Sequence, residues 1–387
     1  MFQKNTGILL ILGAAHSLNH SLFLVLPPLL EVVSRDLNAS FQDLGLVTTI
    51  TFLIYGVGAL VGGPLSDYLT GVKLVQISIA LSGISTFVFI ISRDLLTFGA
   101  GMFLIALWSS FYHPTSNNLI SKIFVTNTGG AMGVHGAAGS VGQMFTPSIA
   151  YLVGTMFSWR LAFVFFGVLS ILTSLLVGSI RVEESKSAVE RPRFLEILKV
   201  PNLWLLLLFN VLVGLYYRGI DLFFPTFLSA TKGFSGQLAA LSNSLVISFG
   251  VIGQLIGGRT ADMYGSTRVL LVSSLGVLAS LLLLLLLPLN VFGVVLFIII
   301  YGMSYFGHQP AMTALVGVVS PKNLSGMAYG VMFFFAFGLG SVSTTIAGYL
   351  ADAISLETAF WSMALFSLVA LIVAMAIQRV VRLKRIR

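Results

Sequence analysis

No cysteine occurs among the 387 residues, so neither a disulfide nor a thiolate metal site is available. Charge is almost as scarce: 9% of residues are charged and 57% hydrophobic, with a mean hydropathy of +1.00. Those values exclude a water-soluble globule. Also missing are a carboxylate-rich cluster and a polar stretch long enough for a soluble domain, which argues against a membrane-embedded enzyme. No ring of identical charges or repeated carbonyl filter motif is present, as a channel would need.

What the chain has is apolar runs of about 20 residues, the length that crosses a bilayer. Twelve are read at 7–30, 42–66, 73–91, 95–120, 130–156, 158–180, 203–228, 236–260, 268–287, 290–316, 326–350 and 358–378. The first is too long, and too polar at His16, Asn19 and His20, for a cleavable signal, so it is kept as a span. Lys and Arg favour the cytoplasmic side. With both termini inside, sixteen of the 21 basic residues fall there, including the tail Arg379, Arg382, Lys384, Arg385 and Arg387. The net charge of +8 therefore reads as topology, and no nucleic-acid partner is expected. The expected location is the cell (inner) membrane.

An internal repeat organises these runs. Gly63-Pro64-Leu65-Ser66-Asp67 with Lys73 returns as Gly258-Arg259-Thr260-Ala261-Asp262 with Arg268, offset by 195 residues, and His113 returns as His308. Pro28 returns as Pro225 at an offset of 197. The pattern predicts an all-α integral membrane protein of two pseudo-symmetric six-helix bundles, 1–180 and 203–387, joined by a cytoplasmic linker at 181–202. Function is expected between the halves. Glycines at 133, 136, 139 and 142 form a small-residue stripe for close helix packing or for a bend, with Pro147 at its end.

All five histidines fall in spans, where ionisable groups are costly and mark candidate sites. His16 and His20 share a helix face with Asn19 beside them. Ser109, His113, Ser116 and Asn117 form a second polar stripe, and Tyr301, Ser304, Tyr305 and His308 a third. Arg218 and Asp221 are three apart, so they can meet. An apolar surrounding favours the neutral acid and a guanidinium the carboxylate, so protonation of Asp221 would follow that contact. The pair reads either as a permanent structural bond or as a coupled binding and proton site. His113 reads either as a steadying group before Pro114 or as part of a pathway. His16 and His20 have the i, i+4 spacing of a metal pair, yet nothing on the same span completes a ligand set, so no metal and no cofactor are expected. Asp67, Lys73, Asp262 and Arg268 are expected to form a conformational latch. Trp108, Tyr112, Tyr217, Phe334 and Phe337 are candidates to shape a pocket, though 31 phenylalanines make single choices weak.

The segment Gly63-x-x-x-Asp67 with Gly71 and Lys73 resembles the loop between helices 2 and 3 of the major facilitator superfamily, and 258–268 resembles its counterpart in the other half. Trp159-Arg160 and Gly348-Tyr349-Leu350-Ala351-Asp352 are similar to further motifs of that superfamily. Phe111-Tyr112-His113-Pro114, the run Gly129–Gly139 and Arg218 ahead of Phe224-Pro225 resemble the fosmidomycin-resistance branch. Asn19-His20 stands where an asparagine-aspartate pair would be expected, and Thr146-Pro147 where Gly-Pro would be. The resemblance implies a monomeric, non-enzymatic transporter working by alternating access, with proton-coupled drug efflux by antiport as the leading activity. Arg218 with Tyr217, Asn19, His20, His113 and His308 would then meet a small anionic or amphipathic substrate. Asp221, His20 and His113 would carry protons. Uptake or exchange of an organic anion is the alternative.

Overall fold

The computed structural model describes residues 2–65, 69–124, 128–182, 194–287, 291–321 and 325–386, and among these there is helix and no strand. In chain order the helices are α1 Phe2–Leu24, α2 Leu30–Leu37, α3 Phe41–Leu65, α4 Gly71–Ser85, α5 Val88–Ile91 and α6 Leu95–Ser109. Next come α7 Tyr112–Ile123, α8 Thr128–Met156, α9 Trp159–Gly178, α10 Phe194–Ile197, α11 Pro201–Ala230 and α12 Gly236–Tyr264. The last are α13 Ser266–Leu286, α14 Val291–Val319, α15 Ser325–Phe333, α16 Val342–Ala353 and α17 Leu356–Ile386. Eleven described segments are long and apolar enough to span a bilayer. The remaining expected span, 130–156, is the 29-residue α8, which carries Gly, His, Ser and Gln along its length and is not among the eleven.

Proline explains where two spans differ from expectation. The first continues past residue 30 to Leu37, but Pro28 offers no N–H to the carbonyl of Leu24, and α1 ends there before the tight turn Pro27–Leu29. In the fourth, Pro114 likewise offers nothing to Ser110, and the helix is interrupted between α6 and α7. By contrast α8, α11 and α14 run continuously through Pro147, Pro225 and Pro310. A helix in hydrocarbon keeps its remaining backbone bonds because no water competes for them. Thr97 donates its N–H to Asp94 at the start of α6, outside the spans, and holds that carboxyl below the usual carboxylate range.

The described chain divides into two compact units, 1–39 with 50–192, and 40–49 with 193–387. In the first, α9 is fastened by Arg160, whose guanidinium donates to Asp36 at 2.7 Å and to the Ser92 carbonyl at 2.7 Å, while Trp159 Nε1 donates to Asp36 at 3.1 Å. The second unit contains the opening turns of α3, whose first N–H groups have no helical partner of their own and find other acceptors. Ser40 and Asp43 form a reciprocal capping box, each backbone N–H donating to the other's side chain at 3.0 Å. Asp352, at the end of α16, accepts from the N–H groups of Phe41 at 3.2 Å and Gln42 at 2.7 Å. Below this cap Thr49 donates to the Ser341 carbonyl at 2.8 Å, and Thr344 donates to the Gly45 carbonyl at 2.8 Å.

Helices α12 and α14 meet backbone to backbone. A Cβ on Gly253 would lie 2.3 Å from the Met303 carbonyl oxygen and 2.5 Å from its Cα, so only glycine permits the contact. Such approaches supply the packing that water-driven burial does not supply between helices in lipid. Gly253→Ala is expected to force the helices apart and to cost about 1–3 kcal/mol, the range for overpacking a tight site. A lowered thermal unfolding midpoint in detergent micelles checks this; an unchanged midpoint would show that the contact yields easily.

Candidate functional site

Two polar centres lie in the described interior, one in each unit. In the second unit, the middle of α11 is interrupted by Asn210, Tyr216, Tyr217, Arg218 and Asp221, and one turn of helix brings Arg218 Nη1 to 3.4 Å from Asp221 Oδ2. Arg218 is only 5% exposed. Its guanidinium carbon lies 4.4 Å over the ring of Phe337 and 5.1 Å from that of Tyr217, so ring faces supply much of its surroundings. Phe337 belongs to a π-helical turn, Phe334–Gly338, that interrupts the helix between α15 and α16. An inserted residue of this kind shifts the faces of a helix and recurs at functional sites.

Stacked rings extend from this pair. Tyr217 lies 4.0 Å from Tyr305 with planes 6° apart, and Tyr301 stacks on Phe297 at 4.8 Å. Beside them a cavity is lined by Tyr217, Asp221, Asn243, Tyr301 and Phe306 with apolar neighbours. It has room for about one water molecule. Asn243 Nδ2 and Tyr301 Oη are buried without a hydrogen-bond partner in the protein. Position 225, four residues beyond Asp221, is proline, so the Asp221 carbonyl also receives no helical N–H. A polar guest at this place would find a carboxylate, a carbonyl, an amide and a phenol, with a cation behind the carboxylate.

The first unit holds the histidines. His16 and His20 on α1 approach at 3.1 Å between their Nε2 atoms, and the ring of His113 on α7 lies 4.9 Å from that of His16 and 5.0 Å from that of His20. His135 on α8 stacks on His16 at 4.3 Å. Asn19, fully buried, donates to the Ser109 carbonyl at 3.1 Å and accepts from Tyr55 at 3.0 Å, so it ties α1 to α3 and α6.

Of the expected site residues, the structure thus brings His20 and His113 together, with His16 and His135 beside them, and gathers Arg218, Asp221 and Tyr217 into another group. His308 is buried on α14, donating Nδ1–H to the Tyr305 carbonyl of its own helix. Asp262 and Arg268 are exposed at the facing ends of α12 and α13, and among the described residues no ion pair joins them. Lys73 is exposed in the first turn of α4; Asp67 lies outside the described residues. Sequence reasoning misses Asn243, although the polar triplet Ser242-Asn243-Ser244 inside an apolar run is an available signal.

Long apolar helices with charged, phenolic and imidazole groups held inside define a multi-pass membrane protein. The Major Facilitator Superfamily model matches residues 9–345, and the chain belongs to that superfamily of transporters. It is 24% identical over 376 residues to the fosmidomycin resistance protein of Escherichia coli K12, covering 92% of this chain and 89% of that one. To the glycerol-3-phosphate transporter of Bacillus subtilis 168 it is 21% identical over 351 residues, covering 81% and 79%. Among solved structures, a mutant form of the nucleoside transporter NupG matches with a TM-score of 0.80 at 18% identity over 96% of this chain and 99% of that one.

Because Tyr301 Oη has no protein partner to lose, Tyr301→Phe is expected to leave the unfolding midpoint in detergent unchanged or slightly raised. A loss of more than about 1 kcal/mol would mean that the hydroxyl is bonded in the native protein.

Proposed function

We propose that this protein is a secondary transporter that moves a small anionic or amphipathic organic compound across the cell membrane by alternating access, exchanging it outward for protons. The observation that carries the reading is the Arg218–Asp221 pair at 3.4 Å, set against aromatic faces beside a cavity that holds unpartnered polar atoms. Arg218 attracts the negative group of the substrate, and Tyr217 presents an aromatic wall. A substrate anion competes with Asp221 for the guanidinium. For exchange, Asp221 takes its proton only after the substrate has left, so that substrate and proton occupy the pair in alternation. Proton and substrate occupancy are thereby linked through one residue pair. The cavity admits about one water, so the walls must part for an organic molecule to enter.

The remaining assignments belong to the same reading. His20 and His113, and in the other half His308, border the route, with Asn19 holding the helices that carry the first two. Asp67 with Lys73 and Asp262 with Arg268 make and break pairs during the cycle. Both termini lie in the cytoplasm, on the distribution of Lys and Arg, and the monomer is the working unit. Outward direction is supported by similarity to a fosmidomycin resistance protein. Similarity to a glycerol-3-phosphate transporter favours a second reading, uptake or exchange of an organic anion with Arg218 as anchor.

Reconstitution in liposomes containing a pH dye tests the reading. Addition of small organic anions and amphipathic drugs, one at a time, is expected to reveal a substrate-dependent pH change whose sign separates antiport from symport. Asp221→Asn should abolish that change while substrate exchange across the membrane persists; a pH change that survives in the variant would sink the coupling role of Asp221. Arg218→Lys removes the planar fork that binds a carboxylate or phosphate through two hydrogen bonds. Its apparent affinity is expected to fall by roughly tenfold or more, about 1.4 kcal/mol. Unaltered affinity would remove Arg218 from the substrate site.

A further inference from the structure

The imidazole group in the first unit carries chemistry that proton-coupled transport does not require. Ligating nitrogens of His16, His20 and His113 all lie within 4.8 Å of one another. A tetrahedral dication bound to imidazole at 2.0–2.1 Å holds its ligand nitrogens ~3.3 Å apart. His16 and His20 already stand at 3.1 Å, so small ring rotations, chiefly of His113, would close the set. The i, i+4 pair on α1 thus receives from α7 the third donor that its own helix lacks.

The orientation of His16 is fixed in the manner of a metal ligand. Its Nδ1–H donates to the His135 carbonyl at 2.8 Å, which sets the tautomer and leaves the Nε2 lone pair directed at His20. Histidines that bind metals ordinarily anchor their second nitrogen on such a carbonyl. Glycine at 139 makes the placement sterically feasible, because a Cβ there would lie 2.5 Å from His16 Nδ1 and Cε1. Tyr112 stacks on the His16 ring at 5.7 Å and donates its hydroxyl to the Leu12 carbonyl at 2.6 Å, so it walls the group without competing for it. His16 is buried, while His20 and His113 are partly exposed. His135 lies face-on to His16, with planes 14° apart, and stays outside the group of three.

We propose that His16, His20 and His113 form a binding site for a borderline divalent transition metal of the Zn2+, Co2+ or Ni2+ type. Three neutral imidazoles with neither thiolate nor carboxylate suit such ions and do not suit Ca2+ or Mg2+, which take oxygen ligands. A fourth position is left for water or an anion. The site shares no residue with the Arg218 group; His20 and His113 also border the proposed route, but metal binding is read directly, so its failure and that of the substrate assignment are distinguishable. The competing account is a metal-free N–H···N hydrogen bond between His20 and His16, and experiment separates the two.

Full-length protein purified without a polyhistidine tag and stripped with a chelator is to be titrated with CoCl2 in detergent. The expected result is one Co2+ per chain, with the visible d–d absorption of a tetrahedral nitrogen-ligated ion that equimolar Zn2+ abolishes. His20→Gln and His113→Gln should each weaken binding by ~100-fold or more, beyond the 10–100-fold typical of losing a supporting residue. His308→Gln should leave it unchanged. Absence of tight binding in the wild type, or binding that survives both substitutions, would overturn the site. Should either variant fail to fold, X-ray absorption of the Zn2+-loaded wild type decides: three imidazole scatterers support the site, and an oxygen-only shell refutes it.

Discussion

Hydrocarbon offers no hydrogen bonds, and this shapes the protein more than any single contact. Each polar side chain among the spanning helices must find its partner in protein. Most hydroxyls do so locally: Ser82 donates its proton to the Ser78 carbonyl, Ser170 to that of Phe166 and Ser274 to that of Leu270. Others bridge helices, as Asn19 does between Ser109 and Tyr55. Against that background, groups left without a protein partner stand out, and among the described residues they are few. Asn243 and Tyr301 face the cavity beside Asp221, and both ring nitrogens of His135 lie unbonded next to the other imidazoles. Both candidate sites thus include groups that the protein's own bonding leaves incomplete.

The internal repeat makes the contrast between the two centres sharper. At the offset of 197 that relates Pro28 to Pro225, His16 and His20 correspond to Val213 and Tyr217, while Arg218 and Asp221 correspond to Ser21 and Leu24. At the offset of 195, His113 corresponds to His308, which turns to the carbonyl of its own helix and meets Phe209 edge-on at 6.1 Å. The first span of one half therefore carries two imidazoles where that of the other carries a guanidinium-carboxylate pair. A fold that supplies equivalent positions twice has used them for different chemistry.

Legibility in the sequence followed the range over which each signal acts. The spans were readable because hydrophobic length is a local property, and Arg218–Asp221 because three residues on a helix are always one turn apart. Span ends were less so: Pro28 and Pro114 interrupt their helices, whereas Pro147, Pro225 and Pro310 do not, and a proline alone does not say which. The assembly of His113 with His16 and His20 needed tertiary structure, since the chain between them runs through several other helices. Phe337 gains its meaning from a π-helical turn that gives no compositional sign among 31 phenylalanines.

The start of α3 has a consequence for how the chain comes together. Its cap needs Asp352, 310 and 311 residues downstream of the two amides it serves, and the groove that receives Gly45 and Thr49 is built from Ser341 and Thr344. A ribosome releases the chain from the N-terminus, so α3 exists long before its partner does. Contacts of such high sequence separation close late, after loop entropy has been overcome. Until α16 is made, the amides of Phe41 and Gln42 must be served by water or lipid headgroups at the membrane surface. Arrival of Asp352 then registers, at α3, that the helices between α3 and α16 have been synthesised.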